Sequence, residues 1–210
     1  MLFMENTPRS AGVTVWGDTF TLESIYELSH KLWEVPEIKD GTLQECLMAF
    51  SYEIRLCYEN ARETRIILDL NNNPIHIYGV KINWIELLIQ LSFMRFCMGY
   101  IDTTKEEQSF IYLLEYHSEK CLENILPKTT KNILFHTKNI PYLDQSTTGE
   151  YFDSIALYFL KLNNKRKRES ELLKLIKTFN PNLTNDIDLI ENLIKQRENL
   201  FEPINENISW

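Results

Sequence analysis

The segment 83–100 constrains the fold more than any other part of the chain. It opens with a capping box, in which Asn83 precedes Glu86 by three residues, the arrangement that typically starts a helix. The rest of the segment is almost entirely apolar, and its only strongly polar side chains are Glu86, Gln90 and Arg95. A helix that is apolar on all sides has to be enclosed by other elements. The sequence therefore predicts a buried central helix over residues 84–100.

Short segments before this helix have the composition of β-strands. Residues 12–16 alternate and are rich in β-branched side chains, and a Gly-Asp turn follows them. Residues 65–70 and 75–78 flank the sequence Asn71–Pro74, which favours a tight turn, and residues 80–82 extend the second arm towards the central helix. These patterns predict a hairpin that joins the first strand in a small antiparallel sheet.

Helical spacing of apolar residues, often after a capping box, predicts the remaining elements. The predicted helices cover about 22–33 with Thr21 as N-cap, 42–61, 103–125, 147–162, 172–179 and 187–201. We expect an α+β fold, mainly α, in which a helical bundle surrounds the buried helix 84–100 beside a small N-terminal antiparallel sheet. A single domain is expected over residues 1–210. The segment 128–145 fits either a short helix or a loop, and it is the candidate boundary between a mixed part and an all-helical part.

Composition and charge favour a cytoplasmic protein with a sizeable core. The chain has 210 residues, of which 44% are hydrophobic, and its formal net charge of -8 argues against general nucleic-acid binding. No secretory pattern opens the chain, and the polar residues of the central helix argue against a membrane span. The cysteines lie within apolar helical patterns and form no Cys-x-x-Cys pair, which predicts reduced core thiols; they are Cys46, Cys57, Cys97 and Cys121.

One face of the predicted helix 42–61 and its end has the composition of a binding surface. Tyr52, Arg55, Glu59 and Arg62 form a polar stripe that combines an aromatic ring with guanidinium groups. Such a stripe can bind a protein or a phosphate group. A solvated ladder is the alternative interpretation, because Arg55 and Glu59 are four residues apart and such pairs are common on exposed helices.

A second candidate site involves Gln90, Arg95 and His117. Arg95 lies about half a turn around the helix from Glu86, so it needs another acid, for which Glu53 and Asp69 are candidates. His117 precedes Cys121 by four residues, a spacing that suits two metal ligands, but no second ligand pair accompanies them. A core histidine is the simpler interpretation, and no metal or cofactor is expected.

The sequence 165–168, Lys-Arg-Lys-Arg, is the only dense basic run. It can contact nucleic acid, an acidic partner or an anionic membrane surface, whereas a solvated turn between helices is the alternative interpretation. No aromatic residue interrupts the run, so base stacking has no support. A nucleic-acid accessory role is therefore the third hypothesis for function.

The common phosphate-binding and hydrolase motifs are missing from the sequence. The leading hypothesis is therefore a non-enzymatic protein that binds another protein, of the immunity, inhibitor or regulatory type. The second hypothesis is an enzyme or small-ligand binder with a pocket near Gln90, Arg95 and His117. The partner is expected to be another protein, with a second copy of the chain as the alternative.

Several short sequences resemble a known bacterial family. They are Asn6-Thr7-Pro8, Gly12-Val13, Gly17-Asp18, Tyr52-Glu53-Ile54-Arg55 with Arg62, and Ile82-Asn83-Trp84. Together they span about the first 120 residues and are similar to a family described as a domain of unknown function. None of these motifs is catalytic in type. The resemblance implies a bacterial cytoplasmic protein and brings no activity, cofactor or site.

Overall fold

The computed structural model describes residues 1–35, 41–142, 148–179 and 210, and it confirms the α+β, mainly helical fold. Four strands form one antiparallel sheet in the order β1-β2-β4-β3. The strands are β1 (Leu2–Asn6), β2 (Gly12–Gly17), β3 (Glu63–Leu68) and β4 (Pro74–Asn83). The helices of the described residues are α1 (Thr19–Trp33), α2 (Gly41–Tyr58), α3 (Trp84–Cys97), α4 (Lys105–Ile125), α5 (Thr130–Thr137), α6 (Thr148–Lys161) and α7 (Lys165–Thr178).

The sheet contains the predicted hairpin and one strand that was not predicted. β4 runs without interruption from the hairpin turn to the start of α3, as the apolar pattern of residues 80–82 indicated. The additional strand β1 pairs with β2, with Met4 opposite Val15. On one face the sheet contributes buried aliphatic side chains to the core; they are Leu2, Met4, Val13, Val15, Val80 and Ile82.

The central helix α3 is buried as predicted. Asn83 caps it by accepting a hydrogen bond from the backbone N–H of Glu86 at 2.9 Å. Most of its side chains lie in the core, including Trp84 and Phe93, which are fully buried. The helix ends at Cys97 instead of Tyr100, because the chain turns at Gly99 and brings Tyr100 to the surface.

Several predicted helix ends shift by a few residues. α1 begins earlier than expected, because Asp18 is its N-cap and accepts the Thr21 N–H at 2.8 Å. α4 has its complete capping box at Thr104 and Glu107, one residue later than expected. The undecided segment 128–145 contains α5 and a 3₁₀ turn at Ile140–Tyr142. The predicted helix 187–201 lies outside the described residues.

The helices enclose α3 from several sides. α2, α4, α5, α6 and α7 all contact it, and a single hydrophobic cluster extends from Leu2 of β1 to Phe179 after α7. In the described ranges, no helix is both long enough and apolar enough to span a membrane. Among the described residues, gaps between the enclosing helices form at least two clefts.

Candidate functional site

One cleft lies where α2, β4, α3 and α6 meet, and we call it the acidic cleft. Its volume is about 840 Å³. Its walls contain buried apolar side chains such as Phe50, Ile89 and Phe152. The polar and charged residues that line it are Glu45, Tyr52, Glu53, Lys81, Asn83, Glu86, Gln90 and Asp153. It therefore combines an apolar interior with an excess of carboxylates.

Glu86 has the most unusual environment in the acidic cleft. Glu86 is exposed at the mouth of the cleft, but neighbouring protein atoms weaken the hydration of its carboxyl. This desolvation raises the pKa of Glu86 to about 7, and the carboxylates of Asp153 and Glu53 act in the same direction, while a hydrogen bond with Asn83 opposes them. Sequence reasoning explained Glu86 as an ordinary capping residue and missed this environment.

Substituting Glu86 by Gln is expected to stabilise the protein at pH 8 by about 1 kcal/mol, allowing for screening by solvent at the mouth. The folded-state pKa of Glu86 lies above its ordinary value of 4.5, so ionisation favours the unfolded chain. Stability should therefore fall as the pH rises from about 4.5 to about 7, and the cost should stay constant above that range. Denaturant unfolding of both proteins at pH 4.5 and pH 8 measures the difference.

Glu106→Gln is the matched control for this change. Glu106 is an exposed acid in the first turn of α4, at a helix N-terminus like Glu86 but outside the acidic cleft. Its removal should give no gain in stability at pH 8. A Glu86→Gln protein that is less stable than the wild type at pH 8 would show that the carboxylate stabilises the fold.

Gln90 and Cys46 lie next to each other in the same cleft. The Gln90 side chain, 6% exposed, donates from Nε2 to the carbonyl oxygen of Cys46 at 3.5 Å. Among the described residues its Oε1 has no hydrogen-bond donor, and a buried acceptor of this kind usually binds water or a ligand. Burial raises the pKa of the Cys46 thiol to about 12, with further contributions from Asp153, Glu86 and Glu45. Cys46 is therefore a neutral thiol and a poor nucleophile.

The structure places the predicted polar stripe beside the acidic cleft. Tyr52 lines the cleft and is half exposed, and the guanidinium carbon of Arg55 lies 5.2 Å from the centre of its ring. Arg55 also approaches Glu59 at 3.8 Å. Arg62 donates to both carboxylate oxygens of Glu53 at 2.9 Å. Tyr52 and Gln90 thus share one cleft, and Arg62 is linked to it through Glu53.

Arg95 occupies a different cleft, which we call the Arg95 cleft, between α3, α4 and α5. This cleft has a volume of about 850 Å³. Arg95 donates from Nε to Glu115 at 2.8 Å and also from Nη2, and its guanidinium carbon lies 4.2 Å from the ring centre of Tyr112. The predicted acid partners were wrong. Glu53 binds Arg62, and the Asp69 carboxylate accepts backbone N–H groups within the hairpin turn.

His117 is not among the residues that line either cleft. It is half buried on α4, where desolvation lowers its pKa and a backbone hydrogen bond with Leu2 opposes the shift. The Cys121 thiol points to the carbonyl oxygen of Met4 at 3.5 Å. Within the described part of the chain, no group of three or more His, Cys, Asp or Glu residues is arranged to hold a metal ion. Gln90, Arg95 and His117 therefore occupy three separate places.

The basic run 165–168 forms the first turn of α7, and its interpretation as a solvated turn was wrong for Arg168. That side chain is completely buried. It donates to the carbonyl oxygen of Leu160 at 2.8 Å and to that of Arg9 at 3.2 Å. Burial lowers the pKa of Arg168, and the charge of Arg9 adds to the effect. One of the four charges of the run is therefore unable to face nucleic acid.

The remaining acids of the cleft, Glu45 and Asp153, were also missed by sequence reasoning. Glu45 and Glu53 are separated by two successive intervals of four residues, and this spacing places both on one face of α2. Asp153 lies on α6, and its proximity to this face depends on how α6 packs against α2 and α3. The spacing of Glu45 and Glu53 was therefore visible in the sequence, whereas the proximity of Asp153 was not.

Comparison with known proteins identifies the family but no activity. No curated protein and no solved structure matches the chain. The family model described as "Domain of unknown function (DUF6904)" matches residues 2–202, well beyond the first 120 residues in which the resemblance was seen. The match covers nearly the whole chain and confirms the expectation of an uncharacterised family. The chain therefore belongs to the DUF6904 family, a domain of unknown function.

Proposed function

We propose that this protein is a non-enzymatic interaction protein, of the immunity, inhibitor or regulatory type, which binds a basic side chain of a partner protein in the acidic cleft. The observation that carries the proposal is the combination of buried apolar walls with four carboxylates in one cleft; they belong to Glu45, Glu53, Glu86 and Asp153. Apolar walls suit the methylene stem of an arginine or lysine, and carboxylates bind its charged head.

The charge balance of the cleft supports a cationic ligand. Lys81, which lines the cleft, pairs with Glu63 at 2.5 Å, and Arg62 pairs with the cleft residue Glu53. Neither cation therefore neutralises Glu45 or Glu86. The chain as a whole carries a net charge of -8, which also favours association with a basic surface.

Tyr52 adds an aromatic surface at the mouth of the cleft. Its ring is already within contact distance of the Arg55 guanidinium, a geometry that aromatic rings also use to bind cations of a partner. Exposed tyrosines and arginines are frequent at the energetic centres of protein interfaces. Tyr52, Arg55 and Arg62 therefore form the proposed border of the binding surface.

The proposed setting is a reducing bacterial cytoplasm. In the described residues all four cysteines are free thiols, and three of them are buried. Structural disulfides are rare in that compartment, so free core thiols are consistent with it. The bacterial origin rests on the family resemblance seen in the sequence.

The alternative function is that of an enzyme or a small-ligand binder, and one observation favours it. The pKa of Glu86 is raised to about 7, and a carboxyl with such a pKa can donate or accept a proton near neutral pH. The neutral Cys46 thiol weighs against covalent catalysis at that residue. The third hypothesis, a nucleic-acid accessory role, has lost support because Arg168 is buried.

Nuclear magnetic resonance titration with two matched small molecules tests the proposal. N-acetylarginine amide should shift the signals of α2, α3 and α6 around the cleft, whereas N-acetylcitrulline amide, which has similar shape and no charge, should bind at least about tenfold more weakly. Glu45→Gln combined with Glu86→Gln should reduce arginine amide binding by a similar factor.

Asp102→Asn combined with Glu106→Gln is the control, because it removes the same charge from exposed positions near the start of α4. This control should bind like the wild type. Equal binding of the arginine and citrulline compounds would overturn the proposal. So would an equal loss of binding in the cleft variant and the control, since that result would reflect net charge alone.

A further inference from the structure

The acidic cleft contains a buried acceptor that lacks a donor. Gln90 lines the cleft with only 6% of its surface exposed, and its Nε2 donates to the Cys46 carbonyl oxygen. This contact fixes the orientation of the amide, because a carbonyl oxygen only accepts and the reversed amide would place two acceptors together. Oε1 is therefore the free end, and it has no donor among the described residues. Because an unpaired buried acceptor costs free energy, a ligand that donates to Oε1 is favoured.

This acceptor lies one helical turn from the Glu86 carboxyl. Both residues belong to α3, and a separation of four residues places their side chains on one face with about 5–6 Å between the Cβ atoms. Glu86 is exposed at the mouth, whereas Gln90 is buried, so the two acceptors lead from solvent into the cleft. A cation that donates to both has to pass the mouth and lose much of its hydration.

Two aromatic side chains belong to the same surroundings. Tyr52 is half exposed, Trp210 is half buried, and both line the acidic cleft. Of the aromatic side chains, tryptophan attracts a cation over its ring face most strongly. The cleft therefore offers flat aromatic surfaces together with its acceptors.

We propose that the basic side chain bound in the acidic cleft is arginine and not lysine, with Gln90 and Glu86 accepting from its guanidinium and Trp210 providing an aromatic surface for it. This inference rests on the proposed function and identifies the side chain that the cleft selects. A guanidinium carries five N–H donors in one plane, so different nitrogens can donate to Glu86 and to Gln90.

Hydration explains why lysine is the poorer ligand. An ammonium group is compact and strongly hydrated, whereas a guanidinium is weakly hydrated and stacks on aromatic rings. The apolar walls of the cleft, such as Phe50 and Phe152, form no hydrogen bonds that replace the lost water. Entry into the buried part of the cleft therefore costs lysine more than arginine, and Gln90 is the acceptor that offsets this cost for arginine.

Nuclear magnetic resonance titration with N-acetylarginine amide and Nα-acetyllysine amide tests the selection at pH 8, where the Glu86 carboxyl is ionised. The wild type should bind the lysine compound at least about tenfold more weakly. Gln90→Met keeps a side chain of similar length and removes the acceptor, so it should reduce arginine binding about tenfold and change lysine binding less than about twofold. Gln108→Met, in a half-buried glutamine of α4 outside the cleft, is the control and should leave both affinities unchanged.

The role of Trp210 has a separate test. Trp210→Leu keeps an apolar side chain and removes the ring, so arginine binding should fall about two- to fivefold. Trp33→Leu, which changes a 37% exposed residue at the end of α1, should have no effect. In the wild type, the methylene protons next to the ligand guanidinium should show nuclear Overhauser contacts with the Trp210 ring and the Gln90 side chain. This measurement requires no variant to fold.

The outcomes separate this inference from the proposed function. Equal binding of the arginine and lysine compounds, both tighter than N-acetylcitrulline amide, would overturn the selection of arginine and leave the proposed function intact. A Gln90→Met protein that keeps the wild-type preference would also overturn it, since Oε1 would then bind only water. Wild-type affinity in Trp210→Leu would overturn the role of that ring. Arginine binding no tighter than citrulline binding would overturn the proposed function and this inference together.

Discussion

Gly12→Ala is expected to destabilise the protein by about 3 kcal/mol or more. A methyl group at this position would lie 1.9 Å from the carbonyl oxygen of Ile82 and 2.6 Å from the Cα of Asn83. Both atoms belong to the backbone of β4, so no side chain can rotate away. The clash can be relieved only by separating β2 from β4 at the point where β4 leads into α3.

Denaturant unfolding of Gly12→Ala beside Gly99→Ala measures this effect. A methyl group at Gly99 would meet only the carbonyl oxygen of Phe96, at 3.2 Å, so the control should cost less than about 1 kcal/mol. Because Asn83 and Glu86 follow the strained contact, Gly12→Ala should also change the spectral signals of the acidic cleft. Equal stability of the two variants would mean that the β2 to β4 contact is looser than the structure indicates.

The elements that sequence reasoning predicted best are those with strong local signals. α3 combines an N-cap at Asn83 with a long apolar run. The β3–β4 hairpin contains the sequence Asn71–Pro74, whose residues favour tight turns. β1 was not predicted because Leu2–Asn6 has no turn signal of its own. What makes it a strand is pairing with β2 and packing against α4, and neither is visible in a local window.

The candidate site was predicted less completely, for a physical reason. The sequence identified Tyr52 and Gln90 as individual residues, but their common cleft depends on how α2 packs against α3 and α6. Arg95 was correctly expected to need an acid, but Glu115 lies on another helix. Glu86 matched a capping box, and a local explanation of that kind hides the desolvation caused by distant elements. The sequence patterns therefore lacked information on which helices pack against one another.

Arg168 connects the first turn of α7 to the turn between β1 and β2. Its guanidinium donates to Arg9 in the turn between β1 and β2 and to Leu160 near the end of α6. The neighbouring Glu169 accepts a hydrogen bond from the Ser10 hydroxyl at 3.1 Å. Ser10 has a φ of 54°, a left-handed conformation that costs energy for a non-glycine residue and is held by such contacts. The first turn of α7 therefore fixes the conformation of the first loop of the sheet.

Arg168→Met is accordingly expected to destabilise the protein by about 2–4 kcal/mol, because the Arg9 and Leu160 carbonyl groups each lose a hydrogen-bond donor. Methionine keeps the apolar stem and has a similar helix propensity, so packing and helix formation change little. Arg166→Met is the matched control within the same run, since Arg166 is exposed, and it should change stability by less than about 0.5 kcal/mol. Thermal and denaturant unfolding measure both. Equal, small effects of the two substitutions would show that Arg168 is solvated like its neighbours and would restore the whole basic run as a surface for acidic partners.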